Sequence, residues 1–211
     1  RDYLPPDIAE RTVVVPNVVG VTVRPTVSER SGAPMRALWL GRQMPGRDPR
    51  PIIAGLKVTP NVEMTLIGDG PLHDAARRTA EDNDLGRRTT FIRAMENHEL
   101  CASLPRYDVL VVNSAFREMP KTVMEAALSG LPVIVNRLPA AESPEYLDLP
   151  VVFVDANAGA FASALRDMES NSRKRIAIAR ETQDAAWRAW NPDRVAAQTA
   201  DILRALAADA G

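Results

Sequence analysis

Residues 109–135 read VLVVNSAFREMPKTVMEAALSGLPVIV, and this stretch decides the fold of the chain. Four consecutive apolar residues lead into a polar turn, and a helical pattern follows that Pro120 precedes and Gly130 closes. A second apolar run ends the stretch. Strands that are apolar at consecutive positions are typical of a parallel sheet that is buried on both faces. The stretch therefore predicts a strand, a helix over residues 121–128 and a second strand.

The same alternation of short apolar runs and helical patterns extends along the rest of the chain. The other apolar runs are residues 13–15, 37–40, 64–67, 90–92 and 151–154. From residue 157 onward the pattern is helical and rich in alanine. This order predicts an α/β fold with a doubly wound, Rossmann-like, mostly parallel sheet of about six strands and C-terminal helices. We divide the chain into a leading segment or interdomain linker (1–30), a Rossmann-like domain (31–185) and a C-terminal helix (186–211).

Composition excludes several classes of protein. The net charge of −1 favours neither nucleic acid nor an anionic membrane as a partner. No apolar run reaches the roughly 20 residues that span a bilayer. The first residues do not resemble a signal peptide and include no starting Met, so we expect a longer protein.

Cys101 is the only cysteine, which excludes a disulfide within the chain and favours a reducing cytoplasm. We interpret Cys101 as a small buried hydrophobic residue rather than a nucleophile. His73 and His98 are the only histidines and have no acidic cluster near them in sequence, so we expect no metal site.

In doubly wound sheets, ligands bind beyond the carboxyl ends of the strands, at the loops that open helices. Four loops are therefore candidates. They follow the strand residues Leu40, Ile67, Ile92 and Val112.

The first loop, residues 41–51, holds Arg42, Arg47 and Arg50. Arginine forks bind phosphate oxygens well, so this loop is a candidate for holding a diphosphate. The alternative is a solvated loop whose arginines pair with Asp48.

The second and third loops carry weaker signals. Gly68 and Gly70 permit a tight turn and a close backbone approach, but a simple strand-to-helix turn explains them as well. Met95 in the third loop can lie against a flat nucleobase, or it can pack in the core.

The fourth loop runs into the helix over residues 121–128 and carries the sharpest signal. The first backbone N–H groups of that helix lack internal partners and, with the helix dipole, form a phosphate site. Glu118 before the helix can hold a sugar hydroxyl, and Glu125 one turn inside can accept from both ribose hydroxyls. The alternative is an amphipathic core helix with Glu118 near its cap.

Two features of the C-terminal part have simpler explanations. Trp187 and Trp190 stand at helical spacing and are interpreted as packing residues rather than as a platform for a sugar. The basic run at residues 173–175 is interpreted as a solvated helix face.

Taken together, these motifs resemble the large GT-B family of retaining glycosyltransferases that is often called family 4. The resemblance runs from about Val13 to Leu206 and rests on the order and spacing of its motifs. Those motifs are Val14-Val15-Pro16-Asn17, Gly41-Arg42 with Arg47, Gly68-Asp69-Gly70-Pro71, Asp108 to Ser114, and Glu118 with Glu125 followed by Gly130-Leu131-Pro132-Val133. The resemblance makes this chain one half of a GT-B fold, the C-terminal half, without the N-terminal domain that binds the acceptor.

The resemblance also implies roles for individual residues, and it implies that no metal or other cofactor is needed. Arg42 and Arg47 hold the diphosphate of the donor and neutralise it as it leaves, Glu125 binds the ribose, and Glu118 binds the transferred sugar. Backbone amides at the helix start assist, and the base lies near Met95. The complete implied donor site is Gly41, Arg42, Arg47, Met95, Glu118, Met119, Pro120, Lys121, Thr122, Val123 and Glu125.

The family pattern leaves two alternatives open. Arg47 stands where the family has Lys, and Arg50 is the other candidate for that position. Six residues separate Glu118 from Glu125 where the family has seven, so Arg117 is the other candidate for the first position.

The resulting hypothesis is a donor domain that binds a UDP- or GDP-sugar in a retaining, cytoplasmic glycosyltransferase, with no membrane contact evident in this half. Two other hypotheses remain. One is a GT-B epimerase of nucleotide sugars, which needs acid and base groups beside the sugar. The other is a non-catalytic α/β partner module.

Overall fold

The computed structural model describes residues 4–15, 17–32, 34–139 and 144–209. Within these residues it contains one six-stranded sheet in the order β3-β2-β1-β4-β5-β6, with every neighbouring pair parallel. The strands are β1 Met35–Leu40, β2 Val62–Ile67, β3 Thr89–Ile92, β4 Val109–Val112, β5 Val133–Asn136 and β6 Val152–Val154. This is the strand order of a Rossmann fold, which confirms the predicted doubly wound sheet.

Helices connect the strands and cover the sheet. They are α1 Pro6–Glu10, α2 Arg50–Gly55, α3 His73–Asp82, α4 Asn97–Ser103, α5 Lys121–Leu128, α6 Pro144–Leu147, α7 Ala158–Ser170, α8 Ser172–Trp190 and α9 Pro192–Asp209, with short 3₁₀ turns at Leu56–Val58 and Leu104–Arg106. The predicted bounds of α5 and the helical C-terminal part are confirmed. The boundary that we placed between residues 185 and 186 falls inside α8, and the chain leaves helical geometry at Asn191 instead.

One apolar run of the leading segment forms no regular element, and one local prediction was wrong. Residues 13–15 form no strand, and Val13 and Val14 are 53% and 63% exposed, so this β-branched run has no sheet to join. Pro16, which we matched to a family motif, lies outside the described residues. The loop predicted over residues 41–51 in fact ends at α2, where a proline in the first turn supports the start of a helix.

Hydrophobic cores lie on both faces of the sheet because neighbouring residues of each strand point to opposite sides. Leu38 and Leu110 face one core, and Trp39 and Val111 face the other. The tryptophans of α8 pack as predicted. Trp190 is buried, and the indole N–H of Trp187 donates to the carbonyl oxygen of Leu128 at 2.9 Å, which fixes α8 against α5.

The basic run of α8 is only partly a solvated face. Arg175 is buried and donates to the carbonyl oxygens of Met168 at 2.6 Å and Arg30 at 2.7 Å. Burial lowers the pKa of Arg175 from its usual value, against the opposing effect of Asp108. Arg175 is therefore a structural residue, contrary to our interpretation of the run.

Candidate functional site

A cleft opens where the strand order reverses, between the carboxyl ends of β1 and β4. Its volume is about 170 Å³. Residues of the first and fourth candidate loops line it together. The predicted site residues among its lining are Gly41, Arg47, Pro120, Lys121 and Thr122.

The first and second loops are fastened to each other by Gln43, which is fully buried. Its side-chain amide donates to the carbonyl oxygen of Gly68 at 2.8 Å, and its backbone N–H donates to that of Asp69 at 2.9 Å. Gly68 has a φ of +137°, and a Cβ there would lie 1.9 Å from the carbonyl oxygen of Gly41. The glycine turn therefore brings the two loops into backbone contact. Sequence reasoning missed Gln43 because this residue belongs to no recognisable motif.

Arg47 and Glu118, which were predicted from different loops, form an ion pair. The guanidinium carbon of Arg47 also lies 5.1 Å from the centroid of the Phe116 ring, within the range of a cation–π contact. A backbone hydrogen bond from Ala115 to Gly46, 2.7 Å long, holds the two loops side by side. The structure therefore brings the two charged groups together beside the cleft, which Arg47 lines and Glu118 does not.

The other arginines of the first loop behave differently. Arg42 is exposed and has no ion pair within the described part of the chain, and it does not line the cleft. Arg50 is paired with Asp48, Nη2 to Oδ2, at 2.7 Å. Burial raises the pKa of Asp48, but hydrogen bonds from Arg50 outweigh that effect and hold the pKa below its usual value. The alternative of arginines pairing with Asp48 thus holds for Arg50 and not for Arg47.

The start of α5 presents two free backbone donors to the cleft rather than three. The amides of Lys121 and Thr122 have no acceptor among the described residues. The amide of Val123 donates to the carbonyl oxygen of Pro120 at 2.9 Å, and Val123 is buried. Val123, which the resemblance includes in the donor site, therefore has no free amide, because the first turn of the helix closes on Pro120.

Glu125 is the most enclosed acidic side chain of the site, with 1% of the residue exposed. Its Oε1 accepts from the backbone N–H of Gly20 at 3.0 Å and from Nδ2 of Asn97 at 3.1 Å. Lys121 Nζ lies 3.7 Å from the same oxygen. Oε2 is buried and has no partner in the described structure. An unpartnered buried carboxylate oxygen is costly, and Oε2 is the acceptor atom of Glu125 that the described residues leave without a donor.

Asn97 and Gly20 are functional candidates that the sequence did not reveal. Asn97 is the first residue of α4, with Glu96 as the cap, and the side chain of Asn97 faces Glu125. Gly20 belongs to the leading segment. A Cβ there would lie 2.4 Å from Oδ1 of Asn97 and 2.9 Å from Sγ of Cys101, so a larger residue would displace one of these side chains.

Cys101 and the two predicted methionines lie on the same side of the fold. Burial, followed by the charge of Glu125, raises the pKa of Cys101 to about 11. Met95 and Met119 are half-buried and pack against the core. Neither packing in the core nor contact with a nucleobase is excluded for Met95, because its side chain packs against the core and is still partly exposed.

The base of the fourth loop is held by hydrogen bonds of Asn136 and Asn113, two residues that sequence reasoning missed. Asn136, directly after the apolar part of β5, accepts from the backbone N–H of Ser114 at 2.7 Å and donates to its carbonyl oxygen at 2.9 Å. Asn113 donates to the carbonyl oxygen of Asp48 at 2.8 Å. A polar residue at the carboxyl end of a strand was the available signal for Asn136.

Two features are absent from the described residues, a metal-binding cluster and a helix that could span a membrane. No group of three or more His, Cys, Asp and Glu side chains is placed to hold a metal ion. No helix in this part of the chain combines the length and the apolar character that crossing a bilayer requires.

Comparison with known proteins agrees with this geometry. The model of the family described as glycosyl transferases group 1 matches residues 51–171. The glycogen synthase of Mycobacterium tuberculosis is 26% identical, in an alignment that covers 95% of this chain and 50% of that protein. The chain therefore spans about half the length of the curated relatives it matches.

Solved structures share the fold. The sucrose-phosphate synthase of Thermosynechococcus elongatus superimposes with a TM-score of 0.76 and 20% identity, over 92% of this chain and 52% of that one. Anabaena Alr3699/HepE, solved in complex with UDP and glucose, gives a TM-score of 0.68 and 18% identity, over 81% of this chain and 48% of that one. The family match covers more than half of the chain, so the chain belongs to the glycosyl transferases group 1 family, with the Rossmann-like fold of the C-terminal domain of a GT-B glycosyltransferase.

Proposed function

We propose that this chain binds the nucleotide-sugar donor of a retaining glycosyltransferase, which transfers the sugar to an acceptor. The observation that carries the proposal is the cleft at the strand-order reversal. There a positively charged side chain, Arg47, meets the unbonded amides of Lys121 and Thr122. A diphosphate carries two to three negative charges, roughly, and needs such donors in a fixed arrangement.

The donor diphosphate binds between Arg47 and the start of α5, with Arg42 reaching in from the exposed loop. As the bond to the sugar breaks, negative charge accumulates on the leaving diphosphate. Fixed cations and amide dipoles stabilise that charge in the manner that a metal ion does elsewhere. The proposed reaction therefore needs no divalent cation.

The remaining contacts are assigned from the positions of the other side chains. Glu125 accepts the ribose hydroxyls on its unpartnered Oε2. Glu118, held by Arg47, contacts the transferred sugar, and half-buried Met95 lies beside the base. UDP is the first nucleotide to test because the similar structure of Alr3699/HepE was solved with UDP.

The acceptor is assigned to an N-terminal domain outside this chain. Support comes from the curated relatives, of which the chain covers 50%. The cytoplasmic location that the single cysteine favours remains a prediction, as does retention of the anomeric configuration.

Calorimetric titration of the chain with UDP, GDP and ADP tests the proposal. One diphosphate is expected to bind, and Glu125→Gln is expected to weaken it by about 1.5–3 kcal/mol, because a hydrogen bond to a charged group is lost. The matched control is Glu181→Gln, an exposed residue of α8, which leaves affinity unchanged.

Thermal unfolding of each variant separates lost binding from lost folding, since Glu125 is buried. A folded Glu125→Gln variant with unchanged affinity removes Glu125 from the ribose site. If no diphosphate binds either to this chain or to the full-length protein, the chain is a non-catalytic partner module.

A further inference from the structure

A second polar groove lies at the opposite edge of the sheet, at the amino ends of β1, β2 and β3. Its volume is about 280 Å³. Arg36 and Glu63 are neighbours in the register of β1 and β2, and Thr65 and Thr90 are neighbours in that of β2 and β3. Parallel sheets are normally covered on both faces, yet Arg36, Glu63 and Thr90 are exposed. This end of the sheet face is therefore open and polar.

The groove carries an excess of positive charge. Arg36, Arg87, Arg88 and Arg106 line it, and Glu63 is the single carboxylate among its lining residues. The guanidinium groups of Arg36, Arg87 and Arg106 are exposed and have no ion pair or hydrogen bond with any other described residue. Like charges around one concavity repel each other, so the arrangement is stabilised when an anion enters.

The nearest other carboxylate does not neutralise this charge. Asp108 is buried, accepts from the backbone N–H of Arg36 at 2.8 Å and lies 3.5 Å from Arg30. The Asp108 carboxylate thus interacts with the backbone N–H of Arg36 and the side chain of Arg30, and not with the guanidinium groups that line the groove.

Arg88 gives the groove a rigid wall. It donates to the carbonyl oxygens of Leu56 at 2.9 Å, Thr59 at 2.8 Å and Val62 at 3.1 Å. A guanidinium that is held by three acceptors loses little further entropy when a ligand arrives. The threonine hydroxyls on the sheet face add neutral donors next to it.

We propose that this groove binds a small phosphate-bearing anion, at a site separate from the donor cleft. Arginine forks and hydroxyl groups are the donors that phosphate oxygens prefer. Ligand pockets commonly measure about 300–1,000 Å³, so a groove near the lower limit fits a phosphate or pyrophosphate group better than a whole nucleotide sugar. The donor cleft lies at the carboxyl ends of β1 and β4, so β1 alone runs between the two sites and separates them by on the order of 15 Å at about 3.3 Å per residue.

Calorimetric titration of the full chain with inorganic pyrophosphate at low ionic strength tests the site. Two variants separate the groove from the donor cleft, namely a double variant Arg36→Gln with Arg106→Gln and a single variant Arg42→Gln. Arg78→Gln is the matched control, because Arg78 is exposed on α3, has no polar partner in the described structure and lies outside both sites. Arg88 is left intact since it supports the fold.

The expected result is that the double variant weakens pyrophosphate binding at least tenfold at a site that Arg78→Gln retains at full affinity, whereas Arg42→Gln affects only binding at the donor cleft. Binding that is lost in Arg42→Gln and unchanged in the double variant would overturn the proposal, and so would the absence of any binding at millimolar pyrophosphate. Neither outcome depends on nucleotide binding, so this proposal fails or stands independently of the proposed function.

Discussion

At the scale of single residues, the environment of Glu125 governs the chemistry of its neighbours. Cys101 lies beside this buried carboxylate, and burial together with that charge raises the pKa of the thiol to about 11. The thiolate is the reactive form, so Cys101 is predominantly protonated and unreactive at neutral pH. A half-buried cysteine next to the proposed ribose site is thus protected from alkylation.

The rate of alkylation by iodoacetamide tests this prediction. For Cys101 the rate is expected to keep rising with pH through 9 and 10 instead of levelling off near the usual pKa. Glu125→Gln removes the negative charge and is expected to shift the profile to lower pH. A profile that levels off below pH 9 in the wild-type chain would contradict the raised pKa.

Arg42 provides a second prediction at this scale. It is exposed and unpaired among the described residues, so its contribution rests on charge alone. Arg42→Ala is expected to weaken a nucleoside diphosphate by about 1–2 kcal/mol and the nucleoside without phosphate hardly at all. Paired titrations with both ligands measure the difference. Equal losses would place Arg42 away from the phosphates.

Sequence reasoning identified residues that stand out by their charge and their position in a loop. It missed residues whose contacts depend on how separate loops approach each other in space. Arg47 and Glu118 were identified from charge and loop position, and the structure pairs them. Gln43 and Asn97 are ordinary polar residues, and only the three-dimensional approach of separate loops gives them partners. Arg175 was misjudged because a basic run does not show which of its side chains turns inward.

At the scale of elements, the glycine turn after β2 supports the predicted architecture most directly. Gly68→Ala is expected to lower the free energy of unfolding by about 2–4 kcal/mol, because φ is positive and the new Cβ collides with the backbone of Gly41. Gly86→Ala is the control, since no atom lies within 4 Å of a Cβ there. Urea unfolding of both variants measures the difference, and equal stability would show that the two loops separate without cost.

Helix bounds were predictable where local signals agreed. Pro120 and Gly130 delimit α5, and both the helix and the positive φ of Gly130 are present. For α2, prolines on both sides of Arg50 indicated a loop, although proline also suits the first turn of a helix. The run at residues 13–15 has strand propensity, but strand formation depends on a neighbouring strand that the sequence does not specify.

At the scale of the whole molecule, the proposed transfer depends on fixed protein charges rather than on a metal ion. Transferase activity of the full-length protein is expected to be unchanged by EDTA, because Arg47 and the start of α5 stabilise the leaving diphosphate. Activity with and without the chelator, at constant ionic strength, measures this. A loss that Mg²⁺ or Mn²⁺ restores would contradict it.

Helix α9 presents an apolar face that the described residues of this chain do not cover. Leu203 and Leu206 are 62% and 61% exposed, and three residues apart they share one face of the helix. Val195 is the one buried hydrophobic residue of α9 among those described. Exposed leucines on a packed domain are unfavourable, so this face is expected to be covered in the full-length protein by the proposed N-terminal domain.

A double variant, Leu203→Gln with Leu206→Gln, tests whether the apolar face of α9 is exposed in the isolated chain and covered in the full-length protein. In the isolated chain the variant is expected to reduce self-association and leave the unfolding temperature unchanged, because nothing is unpacked. In the full-length protein it is expected to lower stability by about 2–4 kcal/mol, as for leucines that lose a buried environment. Ala208→Gln, an exposed position on the same helix, is the control. If the double variant leaves the full-length protein as stable as the wild type, this helix does not pack against a second domain.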